Sequence, residues 1–151
     1  MRHALLVPAR VAIAAMALLL SAGGACAQAL PHGWLFGTWA GGLFPVTPGA
    51  LVEACRTPTV VFSKDAVARS SLIDPAFTPR AIETVRANPK GAEFRFTAAR
   101  PAATDVAAEK LASGFGCENP DVLHVTREGE NEISFPGCAD FPNPLVRCPT
   151  R

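Results

Sequence analysis

Over several stretches apolar and polar residues alternate with a period of two, the pattern of strands that show one face to a core and the other to water. Thr59 to Ser63 (TVVFS) and Ala66 to Ile73 (AVARSSLI) flank Lys64-Asp65, the length of a two-residue hairpin turn. Ala81 to Ala87 (AIETVRA) and Ala92 to Ala98 (AEFRFTA) flank Asn88-Pro89-Lys90-Gly91, whose Pro and Gly suit a turn. Val122 to Arg127 (VLHVTR) and Asn131 to Phe135 (NEISF) flank Glu128-Gly129-Glu130. Trp34 to Gly42 (WLFGTWAGG) is aromatic and glycine-broken and reads as an opening strand. The pattern thus predicts one strand followed by three hairpins. A helical stretch interrupts it. Val106 to Ala112 (VAAEKLA) consists of good helix formers, with Thr104 or Asp105 able to cap its start and Gly114 its end.

Mostly antiparallel strands with one apolar face make a sandwich or a closed barrel. Seven strands and a terminal segment suffice for a barrel of about eight, and closure removes the unpaired edges that invite aggregation. A mainly β fold, a small antiparallel β-barrel with one short helix, is therefore the expectation. A half-open sheet covered by the helix is the alternative.

The N-terminal segment has a different pattern. Arg2 and Arg10 precede Val11 to Leu20, an unbroken apolar run, and the small residues after it end in Ala25-Cys26-Ala27. Charged, apolar and small-residue regions in that order are those of a secretory signal peptide with an A-x-A-like cleavage site. A membrane-crossing helix needs about 20 apolar residues, twice this run. The expected organisation is a signal peptide over 1–27 and a single domain over 28–151, with no transmembrane segment in the mature chain and a periplasmic or secreted location. Cys26 is also where a lipidated cysteine would stand, although Gly23 occupies the position usually held by Leu in a lipidation box.

Removing the signal leaves four cysteines, Cys55, Cys117, Cys138 and Cys148. An even number in a small exported domain reads as a two-disulfide framework. No C-x-x-C pair or neighbouring His pair is present, so no metal site is expected. If Leu123 faces Phe135 and Val125 faces Ile133, Cys117 and Cys138 meet beyond the open end of the last hairpin. This favours Cys117–Cys138, with Cys55–Cys148 tying the start of the barrel to the tail. Cys138–Cys148 with Cys55–Cys117 is the competing scheme, and the sequence alone excludes none of the three connectivities.

The whole chain has 14 Lys plus Arg and 13 Asp plus Glu, a formal net charge of +1. That balance gives no footing for nucleic-acid binding driven by bulk charge. Hydrophobic residues make up 49% of the chain, enough for a packed core.

Arg69 and Glu83 are the candidate binding residues. Phe62 opposite Val67 and Val60 opposite Arg69 turn Arg69 inward with its apolar neighbours. Val85 opposite Phe94 places Glu83 opposite Phe96, again inward. Such a pair is either an interior anchor for a ligand's carboxylate or amide, or an ion pair serving only the fold. His124, between Leu123 and Val125, should face water, and neither it nor His32 has a catalytic partner at recognisable spacing. Ser70, Ser71 and Ser134 lack a G-x-S-x-G context. No catalytic residue and no cofactor are expected. Trp34, Phe36, Trp39, Phe44 and Phe141 suit either a protein-binding surface or the core.

Gly37-Thr38-Trp39 matches a G-x-W signature. With the export signal and Cys55 following Trp39, it resembles the opening of lipocalin-like barrels, including small bacterial periplasmic proteinase inhibitors. The resemblance covers about the first quarter of the mature chain. It implies structural roles for Gly37 and Trp39, with the Trp plugging the barrel floor. The expected function is that of an exported non-enzymatic binding protein with a small apolar or amphipathic ligand in its lumen. The alternative is a protein-binding module, such as an inhibitor of a secreted hydrolase.

Overall fold

The computed structural model describes residues 29–70, 77–98 and 114–150. The expected signal peptide with Cys26, and the expected helix over Val106 to Ala112, lie outside them. Eight strands follow in chain order: β1 (Gly37–Gly41), β2 (Val60–Phe62), β3 (Ala66–Arg69), β4 (Thr78–Asn88), β5 (Gly91–Phe96), β6 (Val122–Arg127), β7 (Glu132–Ser134) and β8 (Leu145–Arg147). Each pairs antiparallel with the next, and β8 returns to β1, so the sheet closes into a barrel. One short helix, α1 (Leu51–Ala54), lies in the β1–β2 connection, a stretch for which the apolar pattern indicated no helix.

The first hairpin has the expected register, with Val60 opposite Arg69 and Phe62 opposite Val67. The last one differs. Arg127 stands opposite Ile133 and Thr126 opposite Ser134, two residues away from the expected pairing. The turn is centred one residue further along the chain, with the N–H groups of Glu128 and Gly129 both donating to the Glu132 carbonyl. A shift of two preserves the face of every side chain. Leu123, Val125, Ile133 and Phe135 are accordingly all buried.

Cys117 pairs with Cys138 and Cys55 with Cys148, the favoured scheme. Cys117 and Cys138 form an isolated antiparallel bridge beyond the last hairpin.

Aromatic rings fill the interior. Phe62 packs on Phe94 and Phe135, and Phe115 packs on Phe96, Phe135 and Phe141, with ring centroids 5.5–6.3 Å apart. The β2–β3, β4–β5 and β6–β7 hairpins turn at one end, which Trp39 closes. Its side chain is fully buried, and its Nε1–H donates to the Leu35 carbonyl at 2.8 Å. Arg147 on β8 lies over the ring, 4.3 Å from its centroid, and donates to the carbonyls of Phe36 and Trp34. Burial, and then the nearby Arg127 cation, hold the Arg147 pKa below the usual guanidinium value. Gly37 turns from the 3-10 turn Gly33–Leu35 into β1 with φ +118°, a conformation L side chains rarely adopt.

Candidate functional site

The other end of the barrel is open to a groove of about 740 Å³. Pockets that hold small ligands span about 300–1,000 Å³. Its walls come from the β1–β2 connection through Leu43, Phe44, Pro45 and Val46, and from Phe77 just before β4. Its base is Arg69, Asp140 and Phe141.

Local hydrogen bonds explain why the β1–β2 connection stands where it does. Gly41 and Gly42 both have positive φ and turn the chain away from the barrel wall. The Gly42 carbonyl then accepts from Asn143 N–H at 2.8 Å, and the Leu43 carbonyl from Asn143 Nδ2 at 3.0 Å. On the return, Thr59 Oγ1 donates to the Gly41 carbonyl at 3.0 Å, and Ser70 Oγ to the Pro58 carbonyl at 3.1 Å. The Cys55–Cys148 disulfide anchors the residue following α1 to the C-terminal tail. The walls are thus held at both ends.

Gly42 also sets the base. A Cβ there would lie 2.3 Å from Phe141 Cδ1. Gly42→Ala is expected to cost about 1–3 kcal/mol, because it combines an overpacked contact with a strained φ. Equilibrium urea unfolding measures that loss.

Arg69 is where the strand register placed it, turned inward and 8% exposed. Its partner is not Glu83. The Arg69 Nη1–H groups donate to Asp140 Oδ2 and to the Gly114 carbonyl, and the guanidinium lies over the Phe141 ring. Glu83 is exposed because β4 carries a bulge. Ile82 faces Phe96 and Val85 faces Phe94, so two residues, Glu83 and Thr84, separate consecutive inward positions and both point to solvent. An alternation extended back from Val85 misses that extra residue.

Two buried side chains, Arg80 and His32, and the half-buried Arg147 escaped the sequence reading. Arg80 is inward and nearly inaccessible, bonded to Asp121 Oδ1 at 2.7 Å and to the Pro120 carbonyl at 3.1 Å. Arg147 is the staple over Trp39. His32 is buried against Phe36 and Phe94, with Nε2 at 3.2 Å from the Lys64 carbonyl. The two arginines sit at inward positions of β4 and β8 and carry carboxylate or carbonyl partners from distant parts of the chain, so strand parity was the available signal. His32 precedes the strands and had no such signal. His124 is exposed, as expected.

The aromatic set divides. Trp39 and Phe141 are core, whereas Phe44 stands 66% exposed on the groove rim. Among the described residues no cluster of three or more His, Cys, Asp or Glu side chains is arranged to hold a metal ion. Among them, too, no helix is long and apolar enough to cross a membrane. Two disulfides are compatible with an extracellular or periplasmic location.

The architecture defines a closed eight-stranded antiparallel barrel with an apolar groove at one mouth. Comparison with protein-family models, with curated proteins and with solved structures finds no match.

Proposed function

We propose that this is an exported, non-enzymatic binding protein of the periplasm or extracellular space, built on a lipocalin-like barrel, that holds a small apolar or amphipathic ligand. The groove at the barrel mouth is the proposed site, because aromatic rings occupy the lumen. The observation that carries the reading is the groove itself: about 740 Å³, walled by Leu43, Phe44, Val46 and Phe77, with the partly buried Arg69–Asp140 ion pair at its base. Apolar walls with a few placed polar groups are what small-molecule sites share.

Exposed apolar side chains favour a second reading. Phe44, Val52 and Phe77 stand on the rim or beside it, and Phe44 and Val52 are 66% and 70% exposed. Aromatic anchors of this kind serve protein partners, as an inhibitor of a secreted hydrolase would require.

Native mass spectrometry of the protein purified from its own host tests both. A retained small molecule supports the first reading, and a co-purifying hydrolase supports the second. With a bound apolar dye as probe, Phe44→Ala is expected to weaken affinity by about tenfold, the loss of one well-buried contact. The melting temperature should stay unchanged, since the ring is mostly exposed in the free protein. Unaltered dye affinity would remove the groove from consideration.

A further inference from the structure

We infer that the groove selects an amphipathic monoanion, a carboxylate on an aliphatic or aromatic body, with its acid end at Arg69. The inference rests on the groove being the binding site and specifies the chemistry of what enters it. Three observations converge on it.

The first is an unused donor. Both hydrogen bonds recorded for Arg69 leave through Nη1, to Asp140 and to Gly114. Nε is buried and has no hydrogen-bond partner among the described residues. A buried N–H without a partner is costly, and a guanidinium offers Nε–H and one Nη2–H side by side, at the spacing of two carboxylate oxygens. An incoming carboxylate supplies the acceptors that this edge lacks.

The second is the balance of charge. Among the residues lining the groove, Arg56 and Arg69 face a single acid, Asp140. Arg56 does have Glu53 at 3.1 Å, but that pair is exposed on both sides and screened by water. Screening discounts Arg56 as much as Glu53, so at the base one shielded cation, Arg69, meets one more accessible anion, Asp140.

The third is asymmetry within the ion pair. The Arg69 side chain is 10% exposed and the Asp140 side chain 42%. The cation is set in place by Phe141 and the Gly114 carbonyl, whereas its counter-ion reaches in from the mouth. A ligand acid approaching from the groove competes for Arg69 with the more accessible Asp140. Its apolar body then lies along Leu43, Phe44, Val46 and Phe77.

The test uses the oxidised protein with octanoate and octan-1-ol, which share a chain and differ in the head group. Titration calorimetry is expected to show octanoate binding about tenfold tighter, the size of a charge-assisted hydrogen-bond pair. Asp140→Asn removes the competing anion and should raise octanoate affinity about threefold or more, leaving octanol unaffected. The double variant Arg69→Met with Asp140→Leu replaces the ion pair by apolar groups, a change that buried pairs often tolerate. It should abolish the preference for the acid while octanol still binds. If octanol matches octanoate, or if the preference survives in the double variant, the carboxylate inference falls and the groove reading stands. If neither compound binds, both fall.

Discussion

Replacing Cys55 and Cys148 together by alanine is expected to remove about 4–5 kcal/mol of stability. The bridge joins residues 93 positions apart, and closing a loop of that length restricts the unfolded chain by about this much in the chain-entropy model. The Cys117–Cys138 bridge spans 21 positions and should contribute about 3 kcal/mol. Small domains have only about 5–15 kcal/mol in total, so reducing both bridges should unfold or greatly weaken the protein. Urea unfolding with and without reductant measures the difference, and an unchanged melting temperature would refute it. The long bridge also anchors the chain just past α1, on the wall of the groove. Its loss should therefore weaken ligand binding even where the barrel survives, whereas loss of the short bridge should act mainly on stability.

Trp39→Ala is expected to cost about 3–5 kcal/mol, the range for truncating a buried aromatic side chain. Three effects coincide at this residue. The ring is wholly buried, its Nε1–H satisfies the Leu35 carbonyl, and its face carries the Arg147 guanidinium. Removing it opens a void, strips one carbonyl of its donor and leaves the half-buried Arg147 cation without the ring beneath it. Trp39→Phe keeps a ring under Arg147 and loses the hydrogen bond, so it should cost about 1–2 kcal/mol with some added loss of packing. The ratio of the two costs, read from urea midpoints at constant slope, separates packing from hydrogen bonding. A negligible effect of Trp39→Ala would mean that the closed end is not built as described.

Within the strands the sequence was a good guide, for a physical reason. Alternation has a period of two, and a hairpin joined by a very short turn has little freedom of register. Val60 opposite Arg69 and Phe62 opposite Val67 follow from Lys64-Asp65 alone. The inward turn of Arg69 and the burial of Leu123, Val125, Ile133 and Phe135 follow from the same parity. The cysteine pairing was favoured by the last hairpin, whose two-residue shift left the open end in place.

Where local pattern ceased to apply, the expectations failed or were missing. The bulge at Ile82 and Thr84 turned Glu83 to solvent, and nothing in AIETVRA marks an extra residue. The partner of Arg69 is 71 positions away, in a loop without periodicity. The groove was not foreseen, because it is assembled from the β1–β2 connection, the start of β4 and the Asp140-Phe141 segment.

By itself the sequence determined the hairpins, most of the strand faces, the pairing favoured for Cys55, Cys117, Cys138 and Cys148, and the opening strand with its tryptophan. Each of these depends on neighbours a few positions away or on the identity of one residue. Only the tertiary structure decided that the lumen is full, that Asp140 neutralises Arg69, and that an apolar groove lies at the mouth. Those depend on which loops meet when the barrel closes, and the distances between such loops are set by packing across the whole molecule.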